Sequence, residues 1–186
     1  IRNKEKYERV VKNIFDIISL CKIDGTITFA GENISQFGYD YIDLIGKNIE
    51  DFCHCDDLDI LYDNRSRLLN SGDTQLFNHR FLKKDGTYAW VEEKMKGVVE
   101  NGIITEIFCV LRDVSEKVNE ESVRKVAEAN YKTLFEAITQ GVMFISNDFR
   151  LISINNAAID ILGLDRRGCT FSDVLEVFKS AVDESE

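Results

Sequence analysis

Ile23-Asp24-Gly25-Thr26-Ile27-Thr28-Phe29, followed by Gly38-Tyr39 and Gly46, returns later as Asn147-Asp148-Phe149-Arg150-Leu151-Ile152-Ser153, followed by Gly163-Leu164 and Gly168. A repeat this long exceeds a solenoid unit, so each copy reads as a small domain in its own right. Tyr7, Val10, Val11 and Ile14 precede the first copy at helical spacing, and Tyr131, Leu134, Phe135 and Ile138 precede the second with the same steps. Asp24 then falls on Asp148, Ile27 on Leu151, Gly38 on Gly163 and Asp51 on Asp173. The first copy continues well past Asp51, whereas the second stops at Glu186, soon after Asp173. The expectation is one whole domain and part of a second, from a longer protein.

Around the repeat, the pattern predicts a helix from about Lys4 to Phe15, a strand Ile18 to Ile23, a hairpin at Asp24-Gly25 and a returning strand Thr26 to Ala30. Short helical pieces follow, punctuated by Gly38 and Gly46. A longer helix is expected from Asp56 or Asp57 to Leu69, with the aspartate as N-cap and Leu58, Leu61, Arg65 and Leu68 on one stripe. Three strands, Gln75 to Lys83, Tyr88 to Val99 and Ile103 to Arg112, are joined by turns at Lys84-Asp85-Gly86 and Glu100-Asn101-Gly102. Ser115 to Ala137 reads as unbroken helix, with Ala127, Tyr131, Leu134 and Ile138 as a coiled-coil seam and a charged composition that implies a stiff spacer. The element order predicts an α+β class: one five-stranded antiparallel sheet with helices over one face, then the helical linker and an incomplete second copy. The expected division is 1–114, 115–130 and 131–186.

A hydrophobic share of 44% can fill a core, and no run approaches the ~18 apolar residues that a bilayer crossing requires. The formal charge of -10 argues against nucleic acid, which needs clustered Lys and Arg. Cys21, Cys53, Cys55, Cys109 and Cys169 form an odd set without a pairing pattern and read as reduced thiols. A cytoplasmic or cytoplasm-facing segment is expected, without membrane contact of its own.

The residues closely resemble a PAS domain of the sensory signalling type. The marks are Asp24-Gly25-Thr26-Ile27, Asn33-Ile34 before Gly38-Tyr39, Leu44-Ile45-Gly46-Lys47-Asn48-Ile49, His54-Cys55-Asp56-Asp57, Arg80-Phe81 with Lys84-Asp85-Gly86, Trp90-Val91-Glu92, Asn101-Gly102 and Arg112-Asp113-Val114-Ser115-Glu116-Lys117. Their order and spacing over residues 7 to 117 carry the resemblance. Asp148, Asn155-Asn156-Ala157-Ala158 and Ile161-Leu162-Gly163 look like the first half of the same family. Two departures stand out. Cys55 stands where members commonly have Pro, which leaves that turn less rigid, and Phe149 stands where a Gly would make the hairpin.

The resemblance implies a pocket between the helices and the inner sheet face. Phe29, Ile34, Phe37, Ile45, Ile49, Phe52, Leu61, Phe77, Phe81, Val91 and Cys109 are the candidates to line it for a flat or apolar ligand, and close packing of the same side chains is the alternative. The ligand is unknown. Haem is disfavoured because the long helix carries no His, and a cysteinyl-flavin because Asn33-Ile34-Ser35 stands where Asn-Cys-Arg is needed; noncovalent flavin stays open. His54 and His79 read as structural or exposed. Cys53-His54-Cys55 cannot all converge on one metal ion, and no metal is expected. Glu92-Glu93 and Asp56-Asp57 read as a solvated strand edge and a helix cap, so no catalytic residue is assigned. Asp113, Val114 and Ser115 are the expected signal relay into the helix beyond.

The function implied is the sensory or dimerisation region of a prokaryotic signalling protein, foremost a two-component histidine kinase, with a homodimer, a small-molecule ligand and an output domain in the same polypeptide as partners. The alternatives are the sensor of a diguanylate cyclase, phosphodiesterase or transcription regulator, and a ligand-free interaction scaffold.

Overall fold

Asp24 and Gly25 make the turn that the sequence calls for. Gly25 adopts φ 89°, its N–H donates to the Lys22 carbonyl at 2.9 Å, and Asp24 Oδ1 accepts from the Thr26 N–H at 2.9 Å. A Cβ at Gly25 would meet Arg65 Nη1 at 2.6 Å and Asn48 Oδ1 at 2.7 Å, so the position requires glycine for space as well as for φ. The turn joins β1 (Ile17–Lys22) to β2 (Ile27–Ala30) in the computed structural model, which describes residues 16–148, 150–164, 170 and 172–176. The helix expected from Lys4 to Phe15 lies outside the described residues.

β3 (Gln75–Leu82), β4 (Tyr88–Glu100) and β5 (Ile103–Asp113) complete a five-stranded antiparallel sheet of order β2-β1-β5-β4-β3. Asn101 and Gly102 both take positive φ, 51° and 81°, as the primed two-residue hairpin between β4 and β5 requires. The short pieces predicted between β2 and the long helix are 3-10 turns, at Glu32–Phe37, Tyr41–Asp43, Ile49–Phe52 and Cys55–Asp57. Asp40 and Asn48 open two of them with reciprocal capping boxes. α1 (Leu58–Ser71) then buries Leu61 and Leu68 completely, each side chain contributing ~1.5–3 kcal/mol.

Three sequence expectations need correction. Asp57 does not cap α1 with its side chain. Its carboxylate accepts instead from the backbone N–H, Nε and Nη2 of Arg80 at 2.9, 2.8 and 2.7 Å, tying the helix entry to β3. Phe29 is 44% exposed. Leu20 pairs with Phe29 and Cys21 with Ile27, so one step on β1 spans two on β2; Thr28 is an inserted residue, and it and Phe29 both lie on the outer face. Ile45 is 42% exposed, while its neighbour Leu44 takes the core place at the turn closed by the Lys47 N–H to Leu44 carbonyl bond.

The chain forms two compact units, Ile1–Glu120 and Glu121–Glu186. α2 (Ser115–Ala137) is unbroken over the range expected for it. In the second unit, β6 (Met143–Ile145) pairs with β7 (Leu151–Ile154), and α3 (Asn156–Leu162) follows. Asn155 is fully buried and organises them: its side-chain oxygen accepts from the N–H groups of Val142 and Ala158, and its amide donates to the carbonyls of Phe135, Ile138 and Gln140. No helix among the described residues is long and apolar enough to cross a membrane.

Candidate functional site

The inner face of the sheet follows from strand alternation. Phe77, His79 and Phe81 point inward from β3, Ala89, Val91, Glu93 and Met95 from β4, Cys109 from β5 and Cys21 from β1. The helical cover adds Ile34, Phe37, Ile49, Phe52 and Leu61. Phe37 and Phe52 both stack on Phe81, with centroids 5.2 and 5.6 Å away. Nine of the eleven predicted lining residues therefore meet in one core; Phe29 and Ile45 do not. Tyr39 packs edge-on against Phe52 at the border of the cluster.

Two members of this apolar face carry charge. His79 and Glu93 are both completely buried, and His79 Nε2 lies 2.7 Å from Glu93 Oε2. Cys53, at the end of the Ile49–Phe52 turn, brings its sulfur to 3.6 Å from His79 Nδ1. Burial works against the imidazolium, but the hydrogen bonds to Cys53 and Glu93 and the Glu93 charge overcome it, so His79 is pushed up to about 10. At neutral pH both ring nitrogens are then donors, one towards the sulfur and one towards the carboxylate. Glu93 Oε1 is buried without a hydrogen-bond partner. Behind it, Cys109 is raised well above an ordinary thiol, first by the adjacent Cys21 thiol, then by burial and by the Glu93 charge.

Glu93 departs from the sequence reading of a solvated strand edge, and His79, expected to be structural or exposed, is buried beside it. The signal that places them is the alternation itself: Phe77-His79-Phe81 and Val91-Glu93-Met95 share the inward register. Outside the core, the ligand atoms of His54, Cys55 and Asp56 lie within 4.8 Å of one another. They are already engaged: His54 Nδ1 accepts from the Asp56 N–H at 3.2 Å, and the Asp56 carboxylate lies 3.4 Å from Arg80 Nη2. Cys53 turns inward and Cys55 outward, so the Cys53-His54-Cys55 run does not converge on one ion.

The exit from the sheet is built from the three expected relay residues and from Trp90, which the sequence marks only as part of the family resemblance. The Val114 N–H donates to the Trp90 carbonyl at 2.9 Å, and the Trp90 N–H donates to Ser115 Oγ at 2.9 Å. Asp113 Oδ1 accepts from the Ser115 N–H at 2.8 Å, as an N-cap would, and α2 begins there. Asp113 itself pairs with Val91 across the β4–β5 ladder.

An open antiparallel sheet with a helical cover and a helical exit defines the class, a small α+β module. A family model described as PAS fold matches residues 27–111, and one described as PAS domain matches residues 129–185. The chain belongs to the PAS family, with one copy matched in each unit. Solved structures agree on the fold. A PAS domain from Colwellia psychrerythraea is similar at 21% identity and TM-score 0.55, over 60% of this chain and 97% of that one. The PAS domain of an HTR-like protein from Haloarcula marismortui matches at 21% identity and TM-score 0.53, over 60% and 92%. A sensory box histidine kinase/response regulator from Burkholderia thailandensis matches at 15% identity and TM-score 0.56, over 69% and 98%. PAS domains are regulatory modules.

Proposed function

We propose that this chain is the sensory region of a signalling protein, most simply a two-component histidine kinase, in which the state of the first unit's core is passed through Asp113, Val114 and Ser115 to α2. The observation that carries the reading is the position of Trp90. Its backbone N–H and carbonyl both hold the start of α2, while the next residues along β4, Val91 and Glu93, face the core. A displacement of β4 by a ligand or a change in the core therefore moves the residues that hold the helix. Packed interfaces respond to such small shifts by switching between discrete arrangements.

Homodimerisation is part of the same proposal. Ala127, Tyr131, Leu134 and Ile138, which step by four, three and four along the second half of α2 and its end, are exposed, and a second copy of the helix is the partner that their spacing suits. Kinase output rests on the family resemblance, and the fold neighbour from Burkholderia thailandensis is consistent with it.

The test is Asp113→Ala in the full-length protein. The substitution removes the acceptor for the Ser115 N–H without touching the core, so output or its stimulus dependence is expected to change while the unfolding midpoint of the first unit stays in place. An unchanged response at unchanged stability sinks the relay. Sedimentation of the chain as a monomer at high concentration sinks the dimer.

A further inference from the structure

Cys53, His79 and Glu93 have the connectivity of an activated thiol: sulfur, imidazole and carboxylate in series, each within hydrogen-bond reach of the next. The three come from different parts of the chain, the end of a 3-10 turn, β3 and β4, and the Cys53–Phe81 bridge locks the first to the second. Glu93 gives one oxygen to His79, while the other meets no nitrogen or oxygen donor and has only the Cys109 thiol near the carboxylate. His79 Nδ1, 3.6 Å from the sulfur, is placed to share a proton with it, and Glu93 on the other ring nitrogen holds the imidazole in that orientation.

Cys55, two residues on, provides the contrast. It is exposed, and the nearest imidazole nitrogen, His54 Nδ1 at 3.8 Å, is occupied as acceptor of the Asp56 N–H. One cysteine of the pair is accessible but has no imidazole nitrogen free to serve it. The other faces the imidazole and is only 8% exposed, so a reagent that reaches it has to be small.

We propose that Cys53 is a modification site for a small hydroperoxide, with His79 as the proton donor and Glu93 positioning His79. The sulfur attacks the terminal oxygen of the peroxide and the O–O bond breaks. Sulfur loses two electrons and becomes a sulfenic acid, and the peroxide is reduced. For hydrogen peroxide, the departing hydroxide takes the proton from His79 Nδ1 and leaves as water. The sulfenic oxygen then sits between the helical cover and β3, at the contact that the Cys53–Phe81 bridge maintains. This reaction is independent of which output the sensory module drives.

The experiment treats the full chain with hydrogen peroxide, traps sulfenic acid with dimedone and reads each cysteine by peptide mass spectrometry. Cys53 is expected to be labelled on the order of tenfold faster than Cys55 in the native protein, and the ratio to fall to about one in urea, where the cluster is gone. In His79→Gln the side-chain amide can still donate to Glu93 but presents no acid to the sulfur, and the Cys53 rate is expected to fall at least tenfold while Cys55 is unchanged. Native labelling of Cys55 before Cys53, or a ratio that urea does not alter, overturns the proposal even if the variant does not fold. A folded His79→Gln protein that reacts at the wild-type rate overturns it as well.

Discussion

The two units open with similar sequence and end up held together by different means. In the first, the Asp24-Gly25 hairpin is joined by β3, β4 and β5, and a cluster of buried apolar side chains forms around Phe37, Phe52 and Phe81. In the second, the described residues place β6 and β7 in a two-stranded sheet, and Ile152 and Ile161 are 67% and 68% exposed. What fixes that unit locally is one polar side chain, Asn155, with five backbone partners from Phe135 to Ala158. The corresponding strand-to-helix junction of the first unit opens with Gly31, which offers no side-chain cap. Where enough strands close over a face, the core can tolerate a buried charged pair; where they do not, hydrogen bonding carries the local order.

The largest blow to the first unit should come from His79→Ala. It leaves Glu93 buried without its partner and is expected to cost about 3–5 kcal/mol, read by urea unfolding, with the Val142 and Ala158 amides of the second unit exchanging as before. Raising the pH should act on the same pair. The folded-state pKa of about 10 lies above the ordinary 6.5, so the stabilisation is complete below pH 6.5 and is lost as pH rises through about 10. The unfolding midpoint of the first unit should fall over that range, and His79→Gln should flatten the slope; an equal slope in the variant breaks the assignment.

Asn155→Ala should invert the pattern. It strips partners from three carbonyls and two N–H groups, at a cost of roughly 2–3 kcal/mol, and hydrogen exchange should quicken at Val142 and Ala158 while the first unit's strands stay protected. Loss of protection in both units would erase the distinction. The smallest effect belongs to Arg112→Ala. Its two contacts to Asp16, at 2.9 and 2.8 Å, lie at the surface, and salt should hide whatever shift in midpoint remains.

Much of this architecture could be read from turn chemistry and alternation. Asp24-Gly25, Asp85-Gly86 and Asn101-Gly102 mark the hairpins because their glycines need positive φ, and the strands between them follow. The unbroken helix from Ser115 followed from composition. The misplacements share a cause, in that each turned on a single residue's context. Glu93 was read by its charge when its neighbours Val91 and Met95 had already set its face. Asp57 had the right residue type for a cap, but Arg80, far along the chain, competes for its carboxylate. Leu44 and Ile45 are equally apolar, and only the closing hydrogen bonds of the turn decide between them. The Cys53–His79 contact joins a turn to a strand, a pairing that no local pattern encodes.

The inserted residue at Thr28 has an evolutionary reading. Ordinary point substitutions at position 29 can exchange one outward side chain for another, yet as long as the bulge persists none of them brings that side chain to the interior. Even deletion of Thr28 would leave Ile27 inward, Phe29 outward and Ala30 inward, because the bulge absorbs the extra residue and keeps both flanks on their own faces. The chemistry that this end of the interior can sample is therefore set at Ile27 and Ala30, while position 29 drifts without touching it.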